Sequence, residues 1–155
     1  MPRVVLLEPE IPPNTGNVAR TCAAMAVELH LVDPLGFELS DRTLRRAGLD
    51  YWPYVRLTRH PSWTDFCESR LRDGGRLLGL TSRGGETYHR HKFQPSDWLL
   101  FGCETKGLPE HVKAECDSLL TVPMMESGVR CLNLASAVAI VLSEALRQLQ
   151  NPFYD

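Results

Sequence analysis

Short apolar runs of strand length alternate with helical patterns along most of this chain. That alternation constrains the fold more than any other feature. Val4–Leu7 reads as a strand, ended by Pro9, Pro12 and Pro13. A helix is expected from Thr15 to Ala26, then a second strand at Leu29–Val32. Ser40 can cap a short helix stopped by Gly48. A third strand is expected at Tyr54–Thr58, a fourth at Arg76–Thr81, a fifth at Trp98–Phe101 and a sixth at Leu119–Val122. Ser62 with Asp65 forms a capping-box pattern that opens a helix toward Leu71. Pro109 suits the first position of a short helix. Leu134–Leu149 closes the chain as a long helix, stopped by Asn151-Pro152. Strands and helices in this order predict one α/β domain over residues 1–155, with a mostly parallel sheet covered by helices on both faces.

The helices also carry a message about assembly. In the first, Val18, Cys22 and Met25 form a core stripe, but the other side carries Arg20, Ala23, Ala24 and Val27. In the last, Leu134, Ala137, Val138, Ile140, Val141, Leu142, Ala145 and Leu149 wrap most of the circumference. Helices apolar nearly all round are normally buried. In a chain of 155 residues this predicts a homodimer through these two helices.

Charge and cysteine usage narrow the partners. The formal net charge is −2, so the chain as a whole is no polycation. Between Arg42 and Lys92, however, eleven Lys and Arg stand against five Asp and Glu. That stretch builds either a mixed solvated surface or a basic face able to meet nucleic acid. The five cysteines include no Cys-x-x-Cys pair, which predicts free thiols in a cytoplasmic protein and neither a disulfide framework nor a zinc site. No signal peptide or membrane span is expected.

Three segments carry the chemistry. They are Asn14-Thr15-Gly16-Asn17-Val18-Ala19-Arg20, Phe101-Gly102-Cys103-Glu104-Thr105-Lys106-Gly107-Leu108-Pro109, and Val122-Pro123-Met124 leading to Cys131-Leu132-Asn133-Leu134. The glycine segment is neither a Walker A loop nor a Gly-x-Gly-x-x-Gly turn, so it supports neither ATP hydrolysis nor an ordinary dinucleotide site. Loops of this type, after buried strands, bring bare backbone groups to a ligand. Arg20 shares a helical side with Asn17 and sits among small apolar residues. It is set either to pair with Glu8 or Glu10 or to meet an external anion. His89 and His91 lack further metal-ligand partners at suitable spacing, which points to a solvated or RNA-facing loop. Cys103 and Cys131 read as small fillers. Trp52, Trp63 and Trp98 read as core, while Tyr51, Trp52 and Tyr88 either pack or stack on bases.

Together, and in this order, the three segments resemble the SPOUT superfamily of RNA methyltransferases, the α/β-knot fold. Within it they resemble the TrmL/YibK group of tRNA (cytidine/uridine-34)-2′-O-methyltransferases. Glu8 to Asn17, Leu44 to Tyr51 and Glu144 to Gln148 extend the likeness over essentially the whole chain. The resemblance implies a C-terminal trefoil knot, an obligate dimer, and S-adenosylmethionine (AdoMet) held by the knot loops, with S-adenosylhomocysteine as product and no metal. By motif, the cofactor pocket falls to Leu80, Gly102, Val122, Met124, Cys131, Leu132, Leu134 and Ala137. Arg20 and Asn133 take the catalytic positions, with Arg20 presented to the partner's cofactor. The implied substrate is a tRNA anticodon stem-loop, methylated on the ribose of position 34. Arg45, Arg46 and Arg90 are the expected RNA contacts. Another RNA position, or a knotted RNA-binding protein without activity, are the competing expectations. The sequence departs from the group at Ala135 and Ser143, where a hydroxyl-bearing residue and a tyrosine are usual.

Overall fold

The computed structural model describes residues 1–40 and 49–149. Among the described residues seven strands form one sheet: β1 (Arg3–Leu7), β2 (Glu28–Val32), β3 (Arg56–His60), β4 (Leu77–Thr81), β5 (Glu86–Thr87), β6 (Trp98–Phe101) and β7 (Ser118–Thr121). They lie in the order β3-β2-β1-β6-β4-β7-β5, and every neighbouring pair is parallel. Among the described residues four α-helices accompany them: α1 (Pro12–Ala24), α2 (Trp63–Asp73), α3 (Glu110–Glu115) and α4 (Leu134–Gln148). Short 3₁₀ helices lie at Leu49–Tyr54 and Tyr88–Arg90.

The apolar runs are continuous because both faces of the central strands are covered. Val4 and Leu6 point to a core shared with Leu99, Phe101, α1 and α4. Val5 and Leu7 point the other way, to Leu100, Trp98, Phe66 of α2 and Val112 of α3. Trp98 is fully buried, and Trp63 and Trp52 pack at the edges of the two cores.

Several boundaries differ from the expected ones for physical reasons. α1 begins at Pro12 rather than Thr15, because the two prolines occupy its first two positions, where no backbone N–H is required. It ends at Ala24, and Val27 lies beyond it as a buried core residue instead of on an outer helical face. β3 is an edge strand displaced to Arg56–His60, and the two-residue β5 has no apolar pattern to announce it. Pro109 precedes α3 as its N-cap rather than occupying its first turn. α4 is buried on one side through Leu134, Val138, Val141, Leu142, Ala145 and Leu146; on its outer stripe Ile140 is the single large exposed apolar residue. The Ser62 capping interaction forms as expected, with its hydroxyl accepting the Asp65 N–H. The short helix expected between Ser40 and Gly48 and the stop at Asn151-Pro152 fall outside the described residues.

Candidate active site

In parallel α/β sheets, ligands bind beyond the carboxyl ends of the strands. Here the ends of β4, β6 and β7 open into a cavity of about 720 Å³. Leu80, Gly102 and Val122 sit at those strand ends. Met124, Cys131, Leu132, Leu134 and Ala137 line the remaining wall, so all eight pocket positions expected from sequence converge on one space. Its size falls within the range of small-molecule sites, and its walls are mainly apolar with bare loop backbone between them.

Two turns shape the cavity. Gly107 adopts a left-handed conformation, φ 65°, and its N–H bonds back to the Cys103 carbonyl at 3.0 Å. A β-carbon on Gly102 would lie 2.2 Å from the Gly107 carbonyl carbon and 2.4 Å from the Leu108 nitrogen. Glycine is therefore required at 102 by the loop's own backbone, before any ligand is considered. After β4, the Thr81 hydroxyl donates to the carbonyls of Arg83 and Gly84, at 2.7 and 3.1 Å, and closes the turn that carries Arg83.

Glu104 ties the three sequence segments together. Its carboxylate accepts the backbone N–H groups of Glu10 and Ile11, at 2.8 and 3.1 Å, just ahead of α1. It also accepts from the Asn14 amide at 3.4 Å. Asn14 in turn accepts from the Asn133 amide at 3.0 Å. The Asn133 oxygen caps α4 by accepting the N–H groups of Ala135 and Ser136. The donors and acceptors alternate, so each amide has one consistent orientation. Beside this chain, Thr105 donates to Glu10 at 2.7 Å. Hydrogen bonds from Cys103 and Thr105, with the charge of Lys106, hold the Glu10 carboxyl below its ordinary range.

Arg20, the other position expected to be catalytic, is elsewhere. Arg20 is exposed on α1 and does not line the cavity of its own chain. It forms no ion pair with Glu8 or Glu10 and instead lies over the Tyr51 ring, 5.9 Å from its centroid. Tyr51 packs against the core rather than standing free for base stacking. Arg90 is exposed and lies outside the cavity lining, while Arg45 and Arg46 fall outside the described residues. The cations that do line the cavity are Arg83, Lys106, Lys113 and Arg130, and Lys113 is paired with Glu110 at 3.1 Å. Sequence reasoning did not single these out, because only the folded loops bring them to one rim. Cys22 is buried in the core, where burial pushes its thiol up to about 12, so it is chemically inert. Among the described residues no group of three potential metal ligands converges, and no helix is long and apolar enough to cross a membrane.

Comparison with known proteins places this geometry. The model of the SpoU rRNA methylase family matches residues 1–143. A Burkholderia ambifaria protein named tRNA (cytidine(34)-2′-O)-methyltransferase is 47% identical over 146 residues, covering 94% of each chain. A Synechocystis sp. protein is 54% identical over 151 residues, covering 97% of this chain and 99% of its own, and carries a provisional form of the same designation. A solved structure concerned with 2-OH methylation of C/U34 on tRNA superposes with a TM-score of 0.91 at 50% identity, covering 96% of both chains. An AdoMet-bound rRNA methyltransferase from Sinorhizobium meliloti superposes with a TM-score of 0.86 at 27% identity, covering 97% of this chain and 57% of that one.

Proposed function

We propose one reaction for this chain, which belongs to the SpoU rRNA methylase family: AdoMet-dependent 2′-O-methylation of the ribose at wobble position 34 of tRNA. The observation that carries this reading is the convergence of Leu80, Gly102, Val122 and Cys131 on one cavity at the strand ends. The residues present fit AdoMet. Leu80, Val122, Leu134 and Ala137 offer apolar walls to a nucleoside, and the turns at Gly102–Gly107 and Cys131–Asn133 offer backbone donors and acceptors. When bound there, AdoMet supplies an electrophilic methyl group whose leaving group is a neutral thioether.

The chain's own residues then have separable tasks. The cavity walls hold the cofactor and exclude water from one side. Arg83, Lys106 and Arg130 at the rim meet the RNA phosphates, as cations beside a nucleic-acid site do. Arg45, Arg46 and Arg90 are proposed as further RNA contacts. Arg20 orients the target phosphate and stabilises charge that develops on the 2′-oxygen. A guanidinium remains protonated in proteins, so electrostatic stabilisation suits it better than proton abstraction. Asn133 contributes through the ordered start of α4 and through Asn14, since both ends of its amide are engaged within the protein.

Arg20 is exposed and does not line the cavity of its own chain, which supports a dimer whose sites combine the pocket of one subunit with the arginine of the other. Ala24 of α1 and Ile140 of α4 are exposed in the single chain and would be covered there. The single domain also includes the family's C-terminal knot. In its support, β7 docks outside β4, whereas α4 returns to α1, β6 and the Tyr88–Arg90 turn. The free cysteines and the tRNA substrate fit a cytoplasmic enzyme. Mapping 2′-O-methyl groups on total tRNA from cells with and without this protein tests the reaction. Loss confined to position 34 is expected; an unchanged map would overturn it.

A further inference from the structure

We propose that Tyr51 is a positioning residue for Arg20, holding both the guanidinium and the turn of α1 that carries it. The proposal rests on the reading of Arg20 given above. Arg20 is exposed and has no ion pair among the described residues. A long side chain in that state samples many rotamers, and fixing it at the moment of reaction costs side-chain entropy. The Tyr51 ring lies against it, with the Arg20 Cζ 5.9 Å from the ring centroid, at the outer edge of cation–π range.

Tyr51 is well placed to impose order because it is itself fixed. Its ring packs against the hydrophobic core beside α1. Its hydroxyl donates to the Gly16 carbonyl at 3.0 Å. In an α-helix that carbonyl is also the acceptor for the N–H of Arg20, four residues on. One side chain thus grips the backbone turn under Arg20 with its hydroxyl and faces the guanidinium with its ring. Burial raises the Tyr51 pKa, against the pull of Arg20, and this keeps the hydroxyl a donor. The Leu49–Tyr54 3₁₀ helix that carries Tyr51 packs on α1, so the grip is transmitted between two elements rather than by one mobile loop.

The test uses the purified full-length protein with AdoMet and a tRNA transcript. Tyr51→Leu should lower kcat about 10- to 100-fold, the loss typical of a misplaced catalytic group, with AdoMet affinity by calorimetry unchanged. Tyr51→Phe keeps the ring and should restore most of that loss. Within an Arg20→Ala background, Tyr51→Leu should cause no further fall, because the two act as a unit. Losses that multiply, or a Tyr51→Leu enzyme turning over within about twofold of the parent, would overturn the proposal. Should Tyr51→Leu lose AdoMet binding, Tyr51→Gln, which keeps a donor for Gly16 but no ring face, carries the test. Reduced kcat with intact affinity supports positioning, and unchanged kcat overturns it. An Arg20→Ala enzyme with full turnover would overturn the assignment of Arg20 itself, and this proposal with it.

Discussion

Asn133 has two separable jobs, and two substitutions distinguish them. Asn133→Ala removes the cap of α4 and the bond to Asn14, and should lower unfolding stability by about 1 kcal/mol. Asn133→Asp keeps an acceptor for the Ala135 and Ser136 N–H groups and adds a favourable charge at a helix N-terminus. It also sets an oxygen against the Asn14 oxygen. Stability should therefore recover in Asn133→Asp while AdoMet affinity does not, as read by urea unfolding and calorimetry. An Asn133→Ala protein as stable as the parent would show that the cap contributes nothing. At this scale the loops after β6 and β7 were legible as ligand loops because they follow apolar strands, while the individual pocket positions came from the motif resemblance. The bond joining Asn14 to Glu104 was not: the two are 90 residues apart, and nothing local to either names the other. The rim cations Arg83, Lys106 and Arg130 were equally silent, since each is an ordinary loop residue until β4, β6 and β7 align.

The strands and helices show which sequence signals survive folding. β1, β2 and β6 were legible as apolar runs because both their faces are buried. β3 was displaced because an edge strand with mostly exposed residues has no such run, and β5 is held by its pairing with Leu120 and Thr121 rather than by its own two residues. A buried histidine pair across β2 and β3 was also unreadable as a contact. His30 Nδ1 and His60 Nε2 lie 2.9 Å apart, with the rings stacked beside Trp98 and Phe66. Burial lowers both pKa values, and His60 further lowers that of His30; Glu28 opposes this at His30 and Asp65 at His60, while Arg3 reinforces it at His30. Both rings thus favour neutrality in the fold, whereas the unfolded chain takes up protons below about pH 6.5. The stability that neutrality provides is present above that pH and is lost as pH falls toward the lowered folded-state values. Unfolding midpoints measured between pH 8 and pH 5 should decline below about 6.5, and His60→Phe should flatten the decline. An equally steep decline in His60→Phe would assign the sensitivity elsewhere.

For the whole molecule, Arg20 is exposed and does not line its own chain's cavity, so in the proposed reading a second copy of the chain supplies it. Specific interfaces bury upward of about 1,200 Å². A cavity-blocking partner for Arg20→Ala is Ala137→Phe, because Ala137 lines the cavity from α4 and a phenyl ring there occupies cofactor space. Each homodimer should keep no more than residual turnover. In a mixed population, a heterodimer has one site with both defects and one with neither, so activity should return to about a quarter of the parent's. No recovery in proven heterodimers would mean that each site is built within one chain. The proposed activity is defined by which ribose receives the methyl group. The most direct measurement is methyl transfer from labelled AdoMet to tRNA transcripts bearing cytidine or uridine at position 34, beside the same transcripts already 2′-O-methylated there. The expected result is incorporation into the unmodified transcripts and none into the blocked ones; undiminished incorporation into the blocked transcripts would contradict it.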